Sequence, residues 1–109
     1  MSTLRKYANP PVDGPDMRKW VPFPTSVTKD TVYDPTIQPW RTACALVGKY
    51  DSFQYNTYRK YWQFLGDTLF RNVLEVTRNI FLESRGIRSK AAFLNAQFAA
   101  ALNGGALVS

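Results

Sequence analysis

The segment that decides the fold is the stretch 51–86, which reads DSFQYNTYRKYWQFLGDTLFRNVLEVTRNIFLESRG. Apolar side chains recur through it at spacings of three and four, which is the repeat of one face of an α-helix. The members of this stripe are Tyr58, Trp62, Leu65, Leu69, Val73, Val76 and Ile80. Asp51 or Ser52 suits the N-cap, and Gly86 suits the position just after the last turn. We therefore predict one long amphipathic helix that ends at Arg85.

Two shorter helices are predicted on either side of the long one. The first runs from Pro39 to Val47, because proline is favoured at the first helical position and a glycine follows Val47. The second runs from about Lys90 to Leu102 after a serine cap, and it is rich in alanine. Small side chains on all sides allow close approach of neighbouring backbones. This C-terminal helix is therefore expected to pack on most of its circumference.

Residues 1–38 have a different composition, because they contain all 7 prolines of the chain. Proline is excluded from helix interiors, and the residue before it is pushed away from the helical region. The same stretch carries large aromatic side chains, among them Trp20 and Phe23. We predict that residues 1–38 form an extended arm that docks on partner proteins, and that residues 39–109 form the helical body.

The expected fold is mostly α, but it is not expected to be a self-sufficient bundle. At 1.5 Å of rise per residue, the long helix would span about 50 Å, whereas the two shorter helices together supply about 35 Å. Part of a broad apolar stripe would then face water, and such surfaces usually bind other proteins. The predicted partner-binding residues are Trp20, Phe23, Tyr58, Trp62, Leu65, Leu69, Phe93 and Phe98.

The residues needed for independent catalysis are scarce in this sequence. It contains no histidine and one cysteine, Cys44, which stands in an apolar setting. A Ser–His or Cys–His pair and a zinc site of the usual composition are therefore excluded. The 8 carboxylates are dispersed, and the two glycines at 104–105 lack the lysine of a phosphate-binding loop. We predict no enzymatic activity, no cofactor, no metal and no small-molecule substrate.

The net charge of +6 permits a nucleic acid, an anionic lipid or an acidic protein as partner. Lys49, Arg59 and Lys60 stand among aromatic residues, a mixture that can stack on nucleotides. No nucleic-acid-binding motif accompanies them. The aromatic residues are better explained as the wide core face of a helix, so the sequence argues against nucleic acid and favours other protein subunits as partners.

The basic residues Arg85, Arg88 and Lys90 follow the last acidic residue of the chain. They stand before an uncharged segment, Ala91 to Ser109, which has too few apolar residues for a membrane span. One interpretation places the three cations at an anionic lipid surface. The other has them cap the preceding helix and contact acidic groups of a neighbouring protein.

The layout of the whole chain, with the aromatic, proline-rich MRKWVPFP at 17–24 and one long amphipathic helix, resembles that of small accessory subunits of mitochondrial inner-membrane complexes. An N-terminus without a cleavable leader is part of this likeness, because it has no apolar signal segment and Pro10 would stop an amphipathic transit helix. The chain is most similar to the lineage-specific associated subunits of the mitochondrial ATP synthase. No signature motif carries the resemblance.

The resemblance implies a non-catalytic scaffold in the dimer or stator region of a complex for ATP synthesis and proton transport. The implied location is peripheral or interfacial at the mitochondrial inner membrane. Accessory subunits of respiratory complex I share this layout. A mitochondrial ribosomal protein that binds RNA and a soluble adaptor are the alternatives from other classes.

Overall fold

A computed structural model describes residues 15–104, and this part of the chain is mostly helical, which confirms the predicted fold class. It contains five α-helices after a short 3₁₀ turn at Met17–Lys19. The helices are α1 (Lys29–Tyr33), α2 (Pro39–Val47), α3 (Ser52–Leu65), α4 (Asp67–Glu83) and α5 (Lys90–Leu102). No strand occurs in residues 15–104, where one isolated antiparallel bridge joins Asp16 and Asp51.

The prediction of one long helix is wrong at Gly66, which separates α3 from α4. Its backbone has φ +89° and ψ 161°, a conformation open to glycine and costly for other residues. The indole N–H of Trp62 donates a hydrogen bond of 3.0 Å to Asp67 across this break. The predicted C-terminus also shifts, because α4 ends at Glu83 and Ser84 is already extended.

The break at Gly66 lets the chain cover its own apolar stripe. At 1.5 Å per residue, α3 and α4 are about 21 and 26 Å long instead of one rod of about 50 Å. Both α2 and α5 therefore contact both α3 and α4. The argument that the shorter helices cannot cover the long one fails for this reason.

The core lies where α2, α3, α4 and α5 meet. Phe98 of α5 stacks on Phe70 of α4 at 4.6 Å between ring centroids and on Tyr61 of α3 at 5.1 Å. The ring of Tyr58, also on α3, lies 5.8 Å from that of Phe98. Aromatic contacts in this range add stability beyond the area that they bury. One ring of the alanine-rich helix thus joins three helices.

Residues 15–38, which we call the strap, pack on the chain's own body instead of extending away from it as predicted. Val32 is fully buried, and Val21, Phe23 and Val27 pack against the core. The start of the strap is joined to the start of α3, because the Ser52 N–H donates to the carbonyl of Pro15 at 3.1 Å. The predicted contacts of residues 1–14 lie outside the described residues.

Arg71 of α4 is the main polar tie to the strap, and its side chain is only 8% exposed. Its guanidinium donates to the carbonyls of Val32 at 2.8 Å, Asp34 at 3.0 Å and Ile37 at 3.3 Å. The Nε–H of Arg71 donates to the carboxylate of Asp67 at 2.9 Å. The planar fork of arginine suits such multiple acceptors. One side chain thereby holds the end of α1 and the segment 34–37 that follows it.

Two further polar contacts extend this tie along α4. Arg78 donates to the carbonyl of Val27 at 2.8 Å. The hydroxyl of Tyr33 donates to Glu75 at 2.6 Å, and Lys29 forms an ion pair with the same carboxylate at 3.5 Å. One side of α4 is therefore covered by the strap over its whole middle section.

Candidate protein-docking surface

The outer side of α3 carries large apolar side chains that the described residues leave uncovered. Phe53 and Phe64 are 57% and 68% exposed, although Tyr55 and Tyr58 of the same helix are buried. At about 100° per residue, Phe53 and Phe64 project to one side of the helix, away from the buried tyrosines. Helix α3 therefore carries large apolar side chains on two sides, and only one of these sides is used by the core.

Two adjoining grooves follow this outer side. The first has a volume of about 310 Å³ and is lined by Thr57, Lys60, Tyr61, Phe64 and Leu102. The second has a volume of about 360 Å³ and is lined by Ser52, Phe53, Asn56, Thr57 and Lys60. They share Thr57 and Lys60, so we treat them as one surface and call it the α3 groove. Leu102 brings the end of α5 to one end of this groove.

The position of the α3 groove is fixed by both ends of the helix and by its buried side. The carboxylate of Asp51 accepts the Gln54 N–H at 3.0 Å and caps the first turn. Gly66 ends the helix, while Tyr55 and Tyr58 anchor it to the core. The groove is thus carried by a regular helix with both termini defined.

The charge on α3 is entirely positive. Arg59 and Lys60 lie on it, and the helix Ser52–Leu65 contains no acidic residue. The three ion pairs among residues 15–104 join Asp16 to Arg18, Lys29 to Glu75 and Asp67 to Arg71. Lys60 therefore has no ion-pair partner within the described part of the chain. Lys60 is exposed, lines both halves of the groove, and stands between Phe53 and Phe64 along the helix.

The predicted partner-binding residues fall into three groups. Trp20 and Leu69 are exposed, at 65% and 40%. Phe23, Trp62, Leu65 and Phe93 are half-buried. The prediction for Tyr58 and Phe98 is corrected here, because both are fully buried core residues without surface for a partner.

Two of the half-buried side chains make internal aromatic contacts. The ring of Phe23 meets that of Tyr50 edge-on at 5.1 Å, and Trp62 lies 4.9 Å from Trp40. The partner-binding residues predicted from the sequence do not include Phe53, Phe64 or Leu102. A helical projection limited to Ser52–Leu65 would have separated Phe53 and Phe64 from the core side.

The basic residues Arg85, Arg88 and Lys90 are all exposed. Lys90 lies over the ring of Phe81, with its nitrogen 5.5 Å from the ring centroid. Arg85 and Arg88 form no ion pair within residues 15–104. Contact with anionic lipid and contact with an acidic protein both stay predictions for this end of the molecule.

The buried polar groups of the core are held neutral. Burial raises the pKa of the Cys44 thiol to about 12, and burial also raises the pKa of the Tyr58 hydroxyl. The thiolate is the nucleophilic form of cysteine, so Cys44 is inert at neutral pH. Across residues 15–104 there is no group of three or more His, Cys, Asp or Glu side chains suited to a metal ion. No helix in that range is long and apolar enough to cross a bilayer.

Comparisons of the chain with protein-family models, with curated proteins and with solved structures found no match. The interpretation of the α3 groove therefore rests on its own shape and charge. It is a concave surface with a phenylalanine towards each end and the polar residues Asn56, Thr57 and Lys60 between them, a combination that can bind another protein segment.

Proposed function

We propose that this chain is a non-catalytic accessory subunit that docks in a larger protein assembly through the α3 groove. The observation that carries the proposal is the pair of exposed phenylalanines, Phe53 and Phe64, on a helix whose other side is already buried. The fold does not need these two rings, because the core is complete without them. Large apolar side chains aligned on one exposed helix face usually serve a partner.

The dimensions of the α3 groove support a protein partner. At 1.5 Å of rise per residue, Phe53 and Phe64 are about 16 Å apart along the helix, which matches about three turns of a partner helix. Burial of a phenylalanine side chain contributes about 1.5–3 kcal/mol. Burial of the two rings and Leu102 would therefore supply part of the binding free energy of a subunit that is also held by other contacts.

The assembly that we propose is a complex of the mitochondrial inner membrane, with the ATP synthase first and respiratory complex I second. The layout of the chain and the basic residues Arg85, Arg88 and Lys90 support this choice. The proposed position is peripheral or interfacial, with scaffolding as the role. A mitochondrial ribosome is the competing assembly.

The test is sedimentation of a tagged full-length chain from its own cells, with and without mild detergent. The Phe53→Asp/Phe64→Asp double variant is compared with Leu82→Asp, since Leu82 is exposed to the same 68% as Phe64 and lies outside the groove. We expect the wild type and Leu82→Asp to migrate with ATP synthase subunits and the double variant to move to the free fractions. Retention of the double variant would overturn the docking role, and release of the wild type by nuclease would favour the ribosome.

A further inference from the structure

We infer that the partner segment in the α3 groove is an amphipathic helix that places a carboxylate against Lys60. This inference rests on the proposed docking function and deepens it, because it names the chemistry of the partner. The observation behind it is the position of Lys60 between Phe53 and Phe64, on the one side of α3 that no described residue covers.

A partner that covers both phenylalanines also covers Lys60. The spacings from Phe53 to Lys60 and on to Phe64 are seven and four residues, so all three project to the same side of α3. The Lys60 side chain lines both halves of the groove. An ammonium group that loses its water in an interface is costly unless an opposite charge meets it. Closure of the groove therefore requires a counter-charge at its centre.

The described part of this chain does not supply that counter-charge. Asp16, Asp67 and Glu75 form ion pairs with cations other than Lys60. Asp51 caps α3 through the Gln54 N–H. The partner must therefore bring the carboxylate itself. Arg59, which is also exposed on α3, adds to the positive potential that would attract an acidic segment.

A lipid surface fits this arrangement less well than a protein does. Amphipathic helices at a bilayer keep their cations on the polar face and at its edges, at the level of the headgroups. Here Lys60 lies with Asn56 and Thr57 on the same face as the two phenylalanines, which stand on either side of it along the axis. The surface is also concave, since Leu102 of α5 stands beside Phe64. A flat bilayer cannot enter such a groove, whereas the side chains of a helix can.

A helix is the form of partner that suits the groove. The groove follows α3 for about three turns, and a second helix packs against a helix surface at 8–10 Å between axes. Apolar residues at helical spacing would reach Phe53 and Phe64, and an Asp or Glu between them would reach Lys60. This pattern of two apolar anchors around one acid is what the partner sequence should show.

The first experiment is site-specific photo-crosslinking in the full-length chain, expressed in its own cells. Phe53, Phe64 and, as the matched exposed control, Leu82 are replaced one at a time by p-benzoylphenylalanine. We expect positions 53 and 64 to crosslink to the same partner segment, identified by mass spectrometry, with an acid between its two attachment points. Position 82 should not reach that segment.

The second experiment is charge reversal. Lys60→Glu should weaken retention in the assembly by about tenfold or more, because the new glutamate would face the carboxylate of the partner. Lys19→Glu, which changes an exposed lysine outside the groove, should leave retention unchanged. Replacement of the crosslinked partner acid by lysine should restore binding of Lys60→Glu.

The possible outcomes separate the inference from the proposed function. Crosslinks to a protein segment without an acid, or full retention of Lys60→Glu, would overturn the inference and leave the docking role intact. Crosslinks only to lipid, to residues 1–14 or 105–109 of the same chain, or to nothing would overturn both. Crosslinks to an acidic helix would establish both, if binding of Lys60→Glu is also restored when the partner acid is replaced by lysine.

Discussion

Helices α3 and α4 are consecutive and are separated by one glycine, but the chain covers an outer side of α4 and leaves the outer side of α3 uncovered. One side of α4 is covered by the strap, through hydrogen bonds from Arg71 and Arg78 to backbone carbonyls. The outer side of α3 carries Phe53 and Phe64, and no described residue covers it. The side of α4 that the chain covers is thus held by hydrogen bonds, whereas the uncovered side of α3 carries exposed apolar side chains.

This difference separates the residues that hold the fold from those available to a partner. Changes on the strap side of α4 should lower the free energy of unfolding. Changes on the outer side of α3 should leave it almost unaltered and act on assembly instead. The four predictions below test that division, from the largest expected effect on stability to the smallest.

Arg71→Met should have the largest effect, a loss of about 3–4 kcal/mol in the free energy of unfolding. The substitution removes four buried or half-buried hydrogen bonds and leaves the carbonyls of Val32 and Asp34 without their donor. Urea unfolding followed by circular dichroism measures the loss. Arg59→Met, an exposed arginine on α3, is the matched control and should change stability by less than about 0.5 kcal/mol. A loss below about 1 kcal/mol for Arg71→Met would show that the strap is not held by this tie.

Gly66→Ala should cost about 1–3 kcal/mol. A Cβ at this position would meet no neighbouring atom, so the cost comes from the backbone, which has φ +89°. Gly86→Ala is the matched control, since Gly86 also has open space around it and has no positive φ. Equal thermal midpoints for the two variants would contradict the break between α3 and α4.

The Tyr33 contact should give a smaller, pH-dependent effect. Burial and the neighbouring Glu75 raise the pKa of the Tyr33 hydroxyl to about 12, from an unfolded value of 10.0. The folded state therefore holds this proton more tightly, and the stabilisation is complete below pH 10 and is lost as the pH rises towards 12. The Tyr33→Phe variant has no such hydroxyl, so its free energy of unfolding should not show this fall between pH 10 and 12. Identical pH profiles for the wild type and Tyr33→Phe would exclude the contact with Glu75.

Phe64→Asp should have the smallest effect on the isolated chain, within about 0.5 kcal/mol of the wild type. The ring is 68% exposed, so its removal leaves no cavity. Phe70→Ala provides the contrast on α4, since Phe70 is fully buried and such a change typically costs about 3–5 kcal/mol. A large loss for Phe64→Asp in urea unfolding would mean that the outer side of α3 belongs to the fold.

The elements with strong local signals could be predicted from the sequence. Helix α2 runs from Pro39 to Val47 and α5 from Lys90 to Leu102, as their proline, glycine and serine boundaries indicated. The break at Gly66 could not be predicted, because the apolar repeat continues through it and one glycine costs a helix only about 1 kcal/mol. Packing of α2 and α5 on both halves decides against the straight helix.

The strap and the α3 groove depend on contacts between distant residues, so the sequence pattern alone did not reveal them. The prolines indicated irregular backbone in the strap, but they gave no sign of the 3₁₀ turn or of helix α1, which interrupt it. Its position depends on Arg71 and Arg78 of α4, whose carbonyl acceptors lie between 34 and 51 residues earlier in the chain. The groove could not be recognised from the sequence, because apolar residues occur on several sides of α3 and the pattern does not assign Phe64 to one of them.

The tie between Arg71 and the strap also has a consequence for the order of events during synthesis. The carbonyl of Val32 lies 39 residues before Arg71, and that of Val27 lies 51 residues before Arg78. A ribosome adds about 5–20 residues per second, so on the order of several seconds pass between synthesis of the strap and synthesis of the two arginines that bind it. The strap is therefore made before α4 and reaches its native position only after α4 has formed.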